Sequence, residues 1–271
     1  MNVFRMGIRL LTLCACLLVS SAAAEEKRRL LLLGQGPDGH KPTTHEYRAG
    51  VRVLMRCLAS VPNLSIKTDS ADGEWSRGPE LLKNADGVVM FLSDGAKWLQ
   101  QDPRRQEAFA RLAQRGGGLA VLHWGMGTRE AKNIAGFVRL FGACHGGPDR
   151  KFKVVETTLV TATPRHPALT GVADVKVRDE FYYRLKRVKS ATPLTPLLTA
   201  RIDKRQEMVA WAWKRPDGGR SFGFSGLHFH KHWEREEYRR LVAQAILWTL
   251  KLPIPAGGIS VKVSAKDLTL P

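Results

Sequence analysis

Cysteine is scarce in this chain, four in 271 residues, and two of them, Cys14 and Cys16, fall in a segment that reads as a removable leader. Only Cys57 and Cys144 then remain, so disulfides do not organise the fold. Long apolar runs are missing too: the stretch at residues 10–19 falls short of the ~20 residues that a membrane span needs. No nucleic-acid-binding motif, internal repeat or low-complexity block occurs. Acidic residues are few against basic ones, 25 to 43, giving a net charge of +18. The basic excess is scattered in short groups such as Lys27-Arg28-Arg29 and Arg239-Arg240 rather than massed. With the export expected below, that argues against a nucleic-acid partner. Contact with anionic polysaccharide or the cell envelope is one explanation of the charge, and a generally basic proteome is a simpler one.

What is present begins with a targeting pattern. Arg5 and Arg9 form a positive region, residues 10–19 an apolar one, and Ala22-Ala23-Ala24 a small-residue cleavage pattern before Glu25-Glu26-Lys27. Residues 1–24 are therefore expected to be a signal peptide cleaved after Ala24, and the mature chain to be exported, periplasmic or secreted. Apolar Leu17-Leu18-Val19 argues against a lipid anchor at Cys16. What remains is enough for one large α/β domain or two small ones.

Residues 27–33 turn from charged to continuously apolar, as expected of a buried parallel strand. A Gly/Pro-rich loop follows, then helical periodicity through Tyr47, Val51, Leu54 and Leu58, with Thr44 as candidate N-cap. Residues 64–68, 86–92 and 119–122 read as further strands. Asp102 and Pro103 open a helix that runs to Gln114. Strand and helix alternate, which predicts a doubly wound parallel sheet. The second half changes character. Residues 152–160, 180–187, 196–202, 208–214 and 221–226 read as strands joined by turns, with Asp217-Gly218-Gly219 as a hairpin signal. Residues 234–250 form a closing amphipathic helix, and residues 256–271 an irregular tail.

The densest chemistry lies in residues 220–233. His228, His230 and His232, three of eight histidines, are spaced two apart after a strand. In extended backbone alternate side chains share a face, so the three imidazoles could converge on a metal. A solvated polar loop is the competing reading. His123 ends a second constellation, Gly117-Gly118-Leu119-Ala120-Val121-Leu122-His123-Trp124-Gly125, at a strand-turn-helix junction of the kind that carries nucleophiles in α/β enzymes. It could act as base, acid or ligand, or be a histidine satisfied by backbone. A third is Asp179-Glu180-Phe181-Tyr182-Tyr183, where alternation puts Glu180 and Tyr182 on one face and Asp179 with Phe181 on the other. One carboxylate is expected to face the site and the other to pair with Arg178 or Arg184. Solvated strand-edge charges are the plainer alternative. Gly34-Gln35-Gly36-Pro37-Asp38-Gly39 matches G-x-G-x-x-G, but helical periodicity starts too late. The acidic residue required ~20 positions on is also missing, and no nucleotide cofactor is expected. The loop still ends a first strand, where open sheets build sites, and His45 at the start of the next helix could reach it.

Taken in order, Gly116-Gly117-Gly118 through His123, His166-Pro167 with Gly171, Asp179-Glu180 with Tyr182, Trp211, and Arg220 through His228 resemble the ThuA-like (trehalose utilisation) family. The resemblance spans residues 28–255. It implies a flavodoxin-like, class I glutamine amidotransferase-like three-layer sandwich, with a mainly parallel central sheet and extra strands in the C-terminal half. Residues 25–255 would form the ThuA-like domain. It also implies that His123 replaces the amidotransferase cysteine, and that His228 is the family's late histidine, here in the altered setting Gly226-Leu227-His228.

The function expected is that of an exported carbohydrate-active enzyme for disaccharide or keto-glycoside breakdown or isomerisation. Its catalytic residues would be His123, Glu180 and His228, and His45, Tyr182, Trp124 and His230 would bind the small carbohydrate substrate. A divalent metal, zinc in the first instance, would be held by His123, His228 and His232. A sugar-binding or envelope-associated protein without catalysis, its tryptophans stacking on sugar rings, is the alternative. The catalytic reading needs residues 123, 180 and 228 to meet at one rim of the sheet.

Overall fold

Leu30, Leu31, Leu32 and Leu33 are all buried, so the strand that carries them must be covered on both faces. The computed structural model describes residues 27–270, and the expected leader and its cleavage site lie outside the described residues. β1 (Arg28–Gly34) leads to α1 (Tyr47–Leu58), β2 (Leu64–Ser70), α2 (Gly78–Lys83), β3 (Gly87–Met90), α3 (Gly95–Gln100), α4 (Pro103–Gln114) and β4 (Gly118–Leu122). Then follow β5 (Gly127–Thr128), α5 (Ile134–Phe141), β6 (Ala143–Gly146), β7 (Lys151–Thr161), β8 (Val175–Tyr183) and β9 (Lys186–Arg187). The chain closes with β10 (Thr195–Ile202), β11 (Arg205–Lys214), β12 (Arg220–Phe224), α6 (Glu236–Thr249) and α7 (Ala265–Leu268).

Nine strands form one sheet in the order β2-β1-β3-β4-β12-β11-β10-β7-β8. β2, β1, β3, β4 and β12 pair in parallel, while β11, β10, β7 and β8 add antiparallel pairs. Alternation along β1 divides the core. Leu30 and Leu32 join α1 and α6 on one face through Leu54, Phe222 and Leu241. Leu31 and Leu33 join α3, α4 and α5 on the other through Leu99, Phe109 and Phe137. Each such leucine contributes roughly 1.5–3 kcal/mol by leaving water. The result is the three-layer sandwich expected, a parallel half extended by antiparallel strands. No helix among the described residues is long and apolar enough to cross a membrane.

α4 starts as its sequence predicts, Asp102 accepting the Arg104 backbone N–H at 2.8 Å with Pro103 at the first turn. α1 does not. Its cap position is Glu46, because His45 at φ 56° turns the chain, and Thr44 instead donates its hydroxyl to Lys41 O. The hairpin between β11 and β12 closes through Gly218 at φ 80°, a conformation that glycine adopts at no steric cost. The tail is less irregular than expected: α7 carries a capping box between Ser264 and Asp267, and Val261 is buried in the α1–α6 core.

Candidate functional site

The parallel strands point their carboxyl ends to one rim, where loops of open α/β sheets build sites. Three loops contribute histidines there: His45 before α1, His123 after β4 and His228 after β12. The antiparallel extension brings a fourth element. β8 folds back over the end of β12, and the backbone N–H of Leu227 donates to Asp179 Oδ2 at 2.8 Å. Because successive strand residues alternate, Asp179 faces the interior while Glu180 and Tyr182 turn to the histidines.

His123 sits in an elbow. Leu122 is extended, His123 has φ 45°, and a short 3-10 turn, His123–Met126, follows. Left-handed backbone at a non-glycine residue is strained and concentrates at working sites. The turn is tight, since a Cβ on Gly125 would lie 2.8 Å from Met90 O. The imidazole is buried, and its Nδ1 lies 2.8 Å from Ser225 O. A carbonyl only accepts, so Nδ1 carries the hydrogen and Nε2 presents a bare lone pair.

His45 is set the same way by other means. Its Nδ1 lies 2.9 Å from Asp38 Oδ2, and its backbone N–H donates to His228 O at 3.0 Å. Burial opposes the charge on Asp38, but bonds from His45, Tyr47 and His40 hold its carboxyl well below the usual range. An ionised Asp38 keeps the hydrogen of His45 on Nδ1, and Nε2 is bare again. The two bare nitrogens face each other at 3.0 Å. His228 Nδ1 completes the group, 3.0 Å from His45 Nε2 and 3.2 Å from His123 Nε2. Glu180 Oε1 lies 3.5 Å from His228 Nδ1 and 3.9 Å from His123 Nε2, and the Tyr182 hydroxyl is 3.0 Å from His123 Nε2.

Lone pairs at this distance repel unless a proton or a cation lies between them. Protonation is disfavoured. Burial lowers the pKa of His45 and drives that of His123 well below its ordinary 6.5, neighbouring imidazoles adding to the latter. Burial, then the charge of His45, brings His228 to about 4. Neutral imidazoles are what a divalent metal requires. Nitrogens bound tetrahedrally to one zinc at about 2.0–2.1 Å lie roughly 3.3–3.4 Å apart, so the three ring nitrogens need open by only a few tenths of an ångström to take such an ion, with Glu180 as a further oxygen ligand within reach. Glu180 is itself raised to about 7, by burial and then by the charge of Asp179.

Of the residues expected from sequence, His45, His123, Glu180, Tyr182 and His228 come together, and Trp124 lines the same pocket. His230 and His232 do not. His230 Nε2 reaches Leu268 O at 2.9 Å, towards the tail. His232 is buried against Tyr238, with Nε2 3.1 Å from Arg178 O and 3.5 Å from Asp179 Oδ1. Convergence of the three required extended backbone, whereas a 3-10 turn begins at His230. The expected trio His123, His228 and His232 is therefore corrected to His45, His123 and His228, and His230 is no wall of the pocket. Asp179 pairs with no arginine either. It accepts from the backbone N–H groups of Leu227 and Glu180 and from the Tyr238 hydroxyl. Trp75 and Trp233 are core residues.

Four contributors escaped the sequence reading. Asp38 was seen only as part of a glycine motif, although an aspartate two residues before His40 and seven before His45 is the spacing of a carboxylate partner. His145, buried and stacked on Tyr182 with ring centroids 3.9 Å apart, carries no pattern at all. Arg129 and Arg150 at the pocket mouth were lost among many scattered arginines.

Comparison with known proteins gives the same frame. Among curated proteins no relative matches. A ThuA-like protein from Parabacteroides merdae superposes with a TM-score of 0.60 at 15% identity, over 89% of this chain and 94% of the other. One from Bacteroides uniformis gives 0.64 at 12% identity, over 85% and 94%. A beta-galactosidase from Rahnella sp. R3 gives 0.52 at 9% identity, over 84% of this chain but only 32% of the enzyme. At such identities the likeness concerns the fold alone. The sequence pattern described as ThuA, trehalose utilisation, matches residues 38–249, which takes in all three clustered histidines and Glu180. The chain belongs to the ThuA family.

Proposed function

We propose that this pocket is the active site of a carbohydrate-active enzyme that breaks down or isomerises a disaccharide or keto-glycoside with the help of a divalent cation. The observation that carries the proposal is the mutual approach, 3.0 to 3.2 Å, of His45 Nε2, His123 Nε2 and His228 Nδ1, two of them bare by virtue of Ser225 O and Asp38. His45, His123 and His228 would hold the cation, which supplies Lewis acidity towards a sugar carbonyl or hydroxyl. Glu180, whose Oε1 lies 3.5 Å from His228 Nδ1, would move the proton at its carboxyl oxygens. Hydrolysis, elimination and isomerisation all need such a proton moved beside a polarised C–O bond. Trp124 and Tyr182 offer ring surface on which a sugar's C–H face packs. The cleft has a volume of about 150 Å³, below the roughly 300–1,000 Å³ of most small-molecule sites, so it would take in one end of such a sugar and leave the rest at the mouth. The leader expected at residues 1–24 would place this chemistry outside the cytoplasm.

The test is metal analysis of the purified protein, joined to a screen of disaccharides and their keto derivatives with products detected by mass. Expected are one zinc or similar ion per chain and a product whose formation stops with a chelator and in His123→Ala. Metal-free protein that binds sugars equally well after His123→Ala and His228→Ala would replace this reading with that of a sugar-binding protein.

A further inference from the structure

The mouth of the pocket is charged opposite to its floor. At the floor lie Glu180 and the Asp38–His45 pair; at the mouth lie Arg129 and Arg150. The fold holds the two arginines together. β5 pairs in parallel with β6, Gly127 opposite His145 and Thr128 opposite Gly146, and Gly147 N–H donates to Thr128 O at 3.2 Å. The loops that continue from these strands therefore leave side by side, one carrying Arg129 and the other Arg150.

Neither guanidinium is neutralised by the acid next to it in sequence. Glu130 is taken by Lys97 at 3.0 Å and Lys132 at 2.9 Å, and Asp149 pairs with Lys186. Asp94, its carboxyl pushed up by burial, lies within electrostatic reach of both arginines without forming an ion pair with either. Arg150 spends one nitrogen on Gly147 O at 3.3 Å. Among the described residues, the Arg129 guanidinium has no hydrogen-bond or ion-pair partner. Phe152, 54% exposed, stands beside them on the same wall and packs edge-on against His145. Two guanidiniums with free donors next to an aromatic wall suit a planar or tetrahedral oxyanion carried on a sugar ring.

We propose that the substrate is an anionic sugar, carrying a carboxylate or a phosphate, and that Arg129 and Arg150 receive that group while the reacting carbon lies at the histidine floor. The inference rests on the sugar-site reading above and narrows its substrate class. It also gives an orientation, the anion turned outward to the two guanidiniums of the mouth.

The experiment is calorimetric titration of the metal-loaded full chain with three probes: glucuronate, glucose 6-phosphate and glucose. Expected is a preference of about tenfold or more for at least one anionic probe over glucose, weakened by added salt. Which of the two binds tighter tells carboxylate from phosphate. In the Arg129→Gln/Arg150→Gln double variant the ratio of affinities falls to near one, and Arg150→Lys restores part of it, which separates lost charge from misfolding. Equal binding of all three probes by the unaltered protein, or a preference that survives in the double variant, overturns the arginine inference alone. Protein that binds none of them overturns both it and the sugar-site reading.

Discussion

His228 and His232 stand four residues apart in sequence yet occupy opposite chemical settings. His228 Nδ1 meets two imidazole nitrogens and a carboxylate across a pocket. His232 is sealed against Tyr238 and bonds to a backbone carbonyl. Meanwhile His45 and His123, distant along the chain, share a point with His228. Where a backbone turns decides which side chains meet, and spacing helps only while the strand geometry lasts. The first histidine of the run belongs to a site. The last belongs to the scaffold behind it.

The largest effect expected from breaking this contrast is loss of metal. His123→Ala or His228→Ala should lower zinc affinity by more than the ~10–100-fold that removal of an outer partner costs, as measured by competition with a chromophoric chelator. On the scaffold side, Asp179→Ala leaves the Leu227 N–H and the Tyr238 hydroxyl without their acceptor. Destabilisation of about 1–3 kcal/mol for each group follows, read from denaturant unfolding. Next comes the partner that sets the tautomer of His45. Asp38→Ala should weaken zinc binding ~10–100-fold, and because the buried Tyr47 hydroxyl and His45 Nδ1 lose their acceptor it should also lower the unfolding midpoint.

Acid separates the histidines from the carboxyls. His166, His228 and His232 are lowered to about 4, and His145 to about 3, each by burial first, from an ordinary 6.5. The unfolded chain takes up protons there before the folded one does, so their contribution is present above pH 6.5 and is lost as pH falls towards 4. Asp179 and Glu180, both raised to about 7 by burial, act in the opposite sense, binding protons in the fold that the unfolded chain would release. The histidines outnumber them, so the melting temperature should fall between pH 6.5 and 4.5. The smallest effect is a control: His230→Gln should leave zinc affinity within about twofold, because its ring reaches only Leu268 O.

Much of the fold was legible because the physics is local. Leu30 to Leu33 can be buried only inside a covered sheet, Asp102-Pro103 starts a helix by its own chemistry, and Asp217-Gly218-Gly219 closes a hairpin. The alternation of Glu180 and Tyr182 against Asp179 and Phe181 was readable for the same reason. What failed depended on local turns. His45 at φ 56° displaced the cap expected at Thr44, and the 3-10 turn His230–Glu234 ended the extended backbone that the three histidines needed. Neither histidine is a residue type that announces such backbone. The role of Asp38 arises from the folding of its loop back onto His45 and Tyr47, and the stacking of His145 on Tyr182 from a tertiary contact between β6 and β8, and no periodicity reports either.

The most direct measurement is anomalous diffraction at the zinc edge from crystals of the full chain soaked in zinc. The account predicts one peak about 2.0–2.2 Å from His45 Nε2, His123 Nε2 and His228 Nδ1 together, with Glu180 or solvent completing the shell. A peak on His230 or His232, or no peak near the three converging nitrogens at saturating zinc, would contradict it.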